Sequence, residues 1–236
     1  MSFLILFMKL KIIKIIKETH DTKTLRFQRP ENFNFIAGQF IIISVEKDEK
    51  KIRRSYSISS SPTEKDYIDL TFKKYETGQV TPILYNLKEG DGLEALGPFG
   101  KCTYEDGSSN NIIMLAGGSG ISTIMGIIRY INIKNLDVKI TLLFANKATN
   151  DIIFKNELQE ISNKNKNFKE IDVIEFPDSN WNGYKGRITA EIIKENVPNL
   201  DNPFYYIVGP PAMVKAMVEL LKSLNLKEEK IKIEVY

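Results

Sequence analysis

From about residue 110 onward, short apolar runs alternate with segments whose apolar residues recur at helical spacing. This alternation is typical of a parallel sheet that is covered by helices on both faces. The sequence therefore predicts a five-stranded parallel α/β domain. Its strands are predicted over 112–116, 138–145, 168–176, 204–208 and 231–235, and its helices over 121–133, 152–161, 190–196 and 211–224.

The first half of the chain has a different pattern, with short β-branched runs between turn-forming residues. Short strands at close spacing are typical of a compact antiparallel barrel or sandwich. The glycine-rich segment 89–101 is predicted to be a loop that closes this half. The change in pattern predicts two domains, residues 1–105 and 106–236. Strands in the first domain are predicted over 10–16, 24–27, 40–45, 56–58 and 68–72, with one short helix over 81–87.

Composition excludes several kinds of chemistry. Cys102 is the only cysteine and His20 the only histidine among the 236 residues, so thiolate zinc sites, cysteine-ligated clusters and multi-histidine metal sites are excluded within this chain. The net charge of +3 gives no support for nucleic-acid binding. Redox chemistry would therefore need an organic cofactor, and no bound metal is expected. The composition favours a soluble, cytoplasmic protein.

The amino-terminal apolar run, Phe3–Met8, is too short to cross a membrane, which takes about 20 apolar residues. Lysines at positions 9, 11, 14 and 17 interrupt the apolar residues after it, and no cleavage signal is present. We expect neither a signal peptide nor membrane insertion, a first strand over 9–17, and Met8 as a candidate start.

A glycine turn, Gly117-Gly118-Ser119-Gly120-Ile121-Ser122, joins a predicted strand to a predicted helix. Glycines allow close approach to a ligand, and a helix N-terminus offers free N–H groups to a phosphate. A plain tight turn is the alternative interpretation. The turn departs from the Rossmann fingerprint because Thr123 stands where a third glycine belongs, and no acidic residue ends the second strand at Asn146.

Three further motifs are each ambiguous alone. Arg54-Ser55-Tyr56-Ser57 alternates a cation, a ring and a hydroxyl along a strand, which suits a pyrophosphate and a stacked planar heterocycle, or simply an exposed polar strand. Gly78-Gln79-Val80-Thr81 is either a phosphate site or a plain N-cap. The terminal Glu234-Val235-Tyr236 would ordinarily be a frayed end.

Taken in order, these motifs change the interpretation. Five motifs follow one another along the chain: R-x-Y-S, G-x-x-T, Gly97-Pro98-Phe99-Gly100, G-G-S-G-I-S and Gly209-Pro210-Pro211. These motifs stand in the order of the ferredoxin–NADP reductase superfamily, which the sequence resembles over nearly the whole chain. The resemblance implies an antiparallel Greek-key β-barrel that binds FAD, followed by an α/β domain that binds NADH or NADPH. The sequence departs from the family pattern at two positions: Ser55 stands where the family often has proline, and Val208 stands where it commonly has cysteine.

The resemblance also implies roles for individual residues. Arg54 would bind the FAD pyrophosphate, Tyr56 would stack on the isoalloxazine, and the Ser57 hydroxyl would lie near flavin N5. The reacting centre would contain Ser57, Glu234 and Tyr236, with the terminal ring covering the second flavin face. The remaining FAD contacts would be Ser55, Thr71, Lys73, Tyr75, Gly78, Val80 and Thr81. The nicotinamide dinucleotide would contact Gly117, Gly118, Ser119, Gly120, Ser122, Gly209, Pro210 and Pro211.

The choice of nucleotide and of electron acceptor is less constrained. Lys147, Lys185 and Arg187 are candidates to bind a 2′-phosphate, whereas the stretch 144–153 looks like the NADH-using cytochrome b5 reductase branch, which we favour. The implied function is an FAD-dependent NAD(P)H oxidoreductase that passes electrons to a separate protein, such as a ferredoxin, flavodoxin, cytochrome or oxygenase component. The alternative is a non-catalytic or subunit-type flavin or nucleotide module docked on a larger enzyme.

Overall fold

The computed structural model describes residues 4–235. Contacts divide the chain into two compact units, of which the first holds the amino-terminal sheet together with Met125–Ile133, and the second holds Asp106–Ile124 and the chain from Lys134 onward. In the described part of the chain, no helix is both long enough and apolar enough to span a membrane.

The first unit is built on one antiparallel sheet of six strands in the order β4-β3-β6-β1-β2-β5. An isolated bridge between Ile58 and Leu70 brings the end of β4 beside β5, so the two edge strands meet. The expected antiparallel barrel-type domain is thus confirmed as a half-barrel. Its elements are β1 (Leu6–Lys17), β2 (Thr22–Gln28), β3 (Phe40–Lys47), β4 (Lys50–Ser57), β5 (Tyr67–Lys73), α1 (Thr81–Tyr85) and β6 (Gly92–Phe99).

Strand alternation explains the core of this unit. Along β1, Met8, Leu10 and Ile12 are buried while Lys9 and Lys11 are exposed, because successive side chains point to opposite faces. Full burial of an aliphatic or aromatic side chain contributes about 1.5–3 kcal/mol. The sheet is therefore held by its apolar inner face, and the lysines between these residues remain in solvent.

The prediction of a loop over 89–101 is wrong for Gly92–Phe99, which forms β6 in the interior of the sheet. This strand pairs with β1 on one side and with β3 on the other. Its glycines and proline are typical of turns, and only pairing with strands far away in the sequence makes the segment extended.

The second unit contains a parallel sheet in the order β10-β9-β8-β7-β11-β12. The five predicted strands are confirmed, and the two-residue β10 adds a sixth. The elements after residue 105 are β7 (Asn111–Gly117), α2 (Ile121–Ile133), β8 (Lys139–Asn146), α3 (Lys155–Lys164), β9 (Phe168–Ile174), β10 (Tyr184–Lys185), α4 (Ala190–Asn196), β11 (Phe204–Gly209), α5 (Pro211–Ser223) and β12 (Ile231–Val235). All of them belong to the second unit except the part of α2 from Met125 onward.

Strands β7, β8 and β11 are buried almost throughout, as expected when both faces of a parallel sheet are covered. Helix α3 begins at Lys155 rather than at the predicted residue 152, because Thr149–Asp151 forms a separate 3₁₀ turn. Phe154 lies in the left-handed region, with φ of 60°, and this conformation separates the turn from the helix.

Candidate functional site

The strand order of the second unit reverses between β7 and β11. In open α/β sheets, ligands bind at the carboxyl ends of the strands at such a reversal. The turn Gly117–Gly120 follows β7 at this place, and Gly209-Pro210-Pro211 follows the neighbouring β11. The fold thus brings together the two motifs that the sequence assigned to a nicotinamide dinucleotide.

The glycines of these motifs allow close backbone approach. A Cβ added to Gly120 would lie 2.3 Å from the carbonyl oxygen of Val208, and one added to Gly117 would lie 2.2 Å from Met213 Sδ. Gly118 has φ of +51° and faces open space. A larger residue at position 120 would displace the backbone, one at position 117 would displace the Met213 side chain, and the backbone at Gly118 is open to a ligand.

The two serines of the turn have different environments. Ser122 is buried, and its hydroxyl donates a hydrogen bond to the Ser119 carbonyl oxygen over 2.9 Å, so it braces the turn from within. Ser119 is partly exposed at the turn itself. Helix α2 starts directly after the turn, and its first N–H groups and dipole favour an anion there.

The carboxyl-terminal strand β12 borders the same edge of the sheet. Glu234 is aligned with Val208, the residue before Gly209, and its Oε1 accepts a hydrogen bond of 2.8 Å from Thr123 Oγ1. The predicted reacting-centre residue Glu234 is therefore brought to the glycine motifs. Tyr236, its predicted companion, lies outside the described residues.

Sequence reasoning missed an acidic residue near this edge. The Rossmann fingerprint predicts a carboxylate after the second strand, whereas Glu175 follows the third strand of the sheet, β9. The Glu175 backbone N–H donates to the Asn146 carbonyl oxygen over 2.9 Å. Arg187 Nε and Nη2 donate to Glu175 Oε1 over 3.2 and 3.0 Å. The signal that could have revealed it is an acidic residue directly after a strand, one strand later than in the Rossmann fingerprint.

In the first unit, Arg54 connects two of the motifs assigned to FAD. Its Nη2 donates to Gln79 Oε1 over 3.0 Å, and its Nη1 donates to the Arg53 carbonyl oxygen over 2.8 Å. Arg54 is exposed on β4, and Gln79 lies in the segment Gly78–Thr81. An exposed guanidinium beside this segment fits a bidentate hold on a pyrophosphate.

The residues after Arg54 become more buried towards the end of β4. Tyr56 is aligned with Ile41 and its ring meets Phe72 edge-on, with 6.2 Å between the ring centroids. Ser55 is exposed and Ser57 is buried at the end of β4. Burial raises the pKa of Tyr56 above its ordinary value, so its phenol stays neutral and its ring offers a planar apolar face.

Strand β5 and the residues directly after it have different surroundings. Thr71 is buried in a cluster of hydroxyls, 2.7 Å from Thr24 Oγ1 and 2.9 Å from Ser59 Oγ. Lys73 forms an ion pair of 3.0 Å with Asp21, and Tyr75 is exposed. The first two side chains have protein partners already, so Tyr75 is the member of this group most open to a ligand.

The segment Gly78–Thr81 is not a side-chain N-cap. Val80 is the N-cap residue of α1 and is buried in the core, and no side chain caps this helix. The Thr81 hydroxyl instead accepts a hydrogen bond from the Tyr75 backbone N–H over 3.1 Å. This bond, together with the bond of 2.8 Å from the Gly78 N–H to the Tyr75 carbonyl oxygen, folds the segment back on Tyr75, two residues after β5.

Two sequence-family comparisons agree with this arrangement. Residues 9–104 match the oxidoreductase FAD-binding domain, and residues 114–219 match the oxidoreductase NAD-binding domain. The chain is 34% identical over 218 residues to NADH-cytochrome b5 reductase 1 of Dictyostelium discoideum, covering 90% of this chain and 76% of the relative. It is 35% identical to the enzyme of the same name from Aspergillus terreus, covering 88% and 74%.

Solved structures show the same two-unit fold. The cytochrome b5 reductase-containing domains of human Ncb5or, in an NAD⁺ form, align with a TM-score of 0.86 at 26% identity, covering 97% of this chain and 69% of that one. A ferredoxin–NADP⁺ reductase from Neisseria gonorrhoeae with bound FAD and NADP aligns with a TM-score of 0.85 at 22% identity, covering 97% and 98%.

The fold and the two matched domains define an NAD(P)H-dependent flavoprotein oxidoreductase. The chain belongs to the ferredoxin–NADP reductase superfamily, in its two-domain form. The sequence-based expectations of family, fold class and enzyme class are thereby confirmed, as is the expectation of FAD and a nicotinamide dinucleotide as cofactors.

Proposed function

We propose that this enzyme oxidises NADH at residues 106–236, reduces FAD held by residues 1–105, and delivers electrons to a separate acceptor protein. The observation that supports this most directly is the meeting of Gly117–Gly120 with Gly209-Pro210-Pro211 at the strand reversal, where a dinucleotide is expected. When bound, FAD accepts two electrons as a hydride and can release them singly. The chain's own residues supply binding and orientation.

The FAD site would use the residues of β4, β5 and the segment before α1. The exposed Arg54 guanidinium would bind the pyrophosphate together with Gly78–Thr81, and the Tyr56 ring would pack against the isoalloxazine. The buried Ser57 hydroxyl would donate to the flavin. Ser55, Thr71, Lys73, Tyr75 and Val80 would shape the site, with Tyr75 as the exposed contact and Thr71 bracing β5 from inside.

The nicotinamide site would use the two glycine motifs and the end of β12. Gly118 and the α2 N-terminus would receive the phosphates, with Ser119 beside them and Ser122 bracing the turn. Glu234, aligned with Val208, would lie at the nicotinamide end. A carboxylate there stabilises the positive charge that develops on the ring as hydride leaves.

We propose NADH rather than NADPH as the donor. Arg187, one candidate for binding a 2′-phosphate, is instead paired with the Glu175 carboxylate. A carboxylate at the end of β9 accepts a hydrogen bond from a ribose hydroxyl and repels a phosphate at the same place. The curated relatives quoted above are named as NADH-dependent enzymes, which supports the same choice.

The acceptor is proposed to be a one-electron carrier of the cytochrome b5 type. Support comes from relatives named as cytochrome b5 reductases, although a Saccharomyces cerevisiae relative, 34% identical, is named a plasma membrane-associated coenzyme Q6 reductase. The competing function is a subunit-type module that binds flavin and nucleotide within a larger assembly. The cytoplasmic location stays a prediction.

The experiment is anaerobic titration of the purified chain. We expect a yellow protein whose flavin absorbance near the visible maximum is bleached by NADH, and bleached at least tenfold more slowly by NADPH at equal concentration. Cytochrome b5, a ferredoxin, a flavodoxin and a quinone are then offered to the reduced protein. Flavin that neither nucleotide reduces would refute the enzyme and favour the module; equal rates with both would refute the NADH preference.

A further inference from the structure

One hydrogen bond links the start of helix α2 to the end of the chain. Thr123 Oγ1 donates to Glu234 Oε1 over 2.8 Å, between residues 111 positions apart. Thr123 is fully buried in the first turn of α2, and Glu234 is partly exposed on β12. Strand β11 lies between β7 and β12. The bond therefore joins helix α2, which follows the turn Gly117–Gly120, to β12, which pairs with the strand that ends at Gly209.

Thr123 stands where the Rossmann fingerprint has its third glycine, whose usual purpose is close packing of helix against strand. A β-branched residue there is not needed for helix formation, because threonine loses side-chain freedom in a helix. A helical threonine commonly turns its hydroxyl to a backbone carbonyl one turn earlier. Here the hydroxyl donates to a carboxylate, and a hydrogen bond to a charged acceptor is stronger than one to a neutral acceptor.

We propose that Thr123 is a positioning residue that holds the Glu234 carboxylate at the nicotinamide end of the dinucleotide site. This inference rests on the proposed function, in which Glu234 stabilises the charge that forms on the ring. A glutamate side chain has three rotatable bonds, so an unanchored carboxylate would spread over several rotamers. The Thr123 hydroxyl selects one of them, and the dipole of α2 favours the anion there.

The test is a double-mutant cycle on hydride transfer. Thr123→Val keeps the branched shape without the hydroxyl, Thr123→Ser keeps the hydroxyl, and each is made with Glu234 and with Glu234→Gln. The readouts are the rate of flavin reduction at saturating NADH in stopped flow, the Kd for NAD⁺, and the FAD content. If Thr123→Val does not fold, Thr123→Ala, which removes atoms and adds none, takes its place.

We expect Thr123→Val to slow flavin reduction about tenfold, the size of losing one hydrogen bond to a charged group, with full FAD content. Thr123→Ser should stay within about twofold of the parent. In the Glu234→Gln background, Thr123→Val should cause little further slowing, because the side chain that Thr123 orients then carries no charge to stabilise the ring. This non-additivity is the readout that a purely structural role for Thr123 would not produce.

Two results would overturn the inference. One is that Thr123→Val slows flavin reduction by the same factor in the parent and in the Glu234→Gln variant. The other is a Thr123→Val variant that reduces its flavin at the parental rate. A parent that NADH does not reduce at all would refute the proposed function itself, and the positioning role with it. The two failures are therefore distinguishable.

Discussion

Gly120 and Val208 approach so closely that a Cβ on Gly120 would lie 2.3 Å from the Val208 carbonyl oxygen. The two residues belong to different motifs, 88 positions apart in the numbering, and they meet because β7 and β11 are neighbours. A contact with backbone atoms cannot be relieved by a change of rotamer, as a contact with a flexible side chain can. The close approach therefore fixes the geometry of the turn Gly117–Gly120.

We expect Gly120→Ala to weaken NADH binding by tenfold or more, because the turn must move away from β11 to admit the methyl group. Isothermal titration with NAD⁺ and stopped-flow reduction by NADH measure the effect. Gly92→Ala is the matched control, since its added Cβ would meet only the Leu10 carbonyl oxygen, at an ordinary 3.6 Å. Parental affinity in Gly120→Ala would contradict the role of the close approach.

Arg54→Ala should lose FAD during purification. Hydrogen bonds to charged groups are worth about 1.5–3 kcal/mol each, so removing the guanidinium should weaken FAD binding by about ten- to a hundredfold. The ratio of flavin to protein absorbance measures occupancy. Arg53→Ala is the control, because Arg53 is exposed on the same strand and uses its backbone carbonyl, not its side chain, to contact Arg54. Full occupancy in Arg54→Ala would remove the case for a pyrophosphate contact.

Glu170 and Asp172 share one face of β9, and their protonation should affect stability. Burial, and next the charge of Asp172, raise the pKa of Glu170 to about 8, while burial raises that of Asp172 to about 6. Lys155 opposes both shifts. The folded state binds these protons more tightly than the unfolded state, so the free energy of unfolding should fall as pH rises from about 4.5 towards 8.

Glu170→Gln removes this ionisation. We expect the variant to gain about 1 kcal/mol over the parent at pH 8, which corresponds to about 2–4 °C in Tm, and to gain little at pH 5. Thermal unfolding at both pH values measures it. The control is Glu160→Gln, since Glu160 is fully exposed and its pKa is lowered by Lys164. An equal change in Tm at pH 5 and pH 8 would show that ionisation is not the cause.

Tyr236→Ser should tighten nicotinamide binding and slow product release. The resemblance implies that the terminal ring covers the flavin at rest, and displacing it lowers the apparent affinity for the nucleotide. Binding of NAD⁺ and the rate of its release after reduction are the measurements. Val235→Ala is a control at the exposed neighbouring position. Equal nucleotide affinity in parent and Tyr236→Ser would argue against a ring that must move.

Much of the fold was readable from local patterns. Alternating burial on β1 and continuous burial on β7 follow from how many faces of each sheet are covered. In the sequence, the first leaves a period of two and the second leaves an unbroken apolar run. The segment Gly92–Phe99 left no such period, because its glycines and proline are turn residues. The same limit applied to Tyr184–Lys185, which is too short to show any period.

The candidate site was readable to a similar extent. The motifs at Arg54, Gly78 and Gly117 stand out because glycine and arginine at fixed spacing suit phosphates. Glu175 did not stand out, because the local sequence does not show that a residue after β9 lies beside the end of β8. The Thr123 bond to Glu234 was equally hidden, because it joins the two ends of the second unit.

The alternation of strand and helix after residue 110 determined, without any structure, that this half is a parallel α/β sheet, with a glycine turn between its first strand and first helix. The tertiary structure alone decided which strands are neighbours, and hence that Gly120 meets Val208 and that Thr123 holds Glu234. The physical reason is that periodicity is a property of adjacent residues. Strand order and register depend instead on pairing between segments far apart, where burial and hydrogen bonding must be satisfied together.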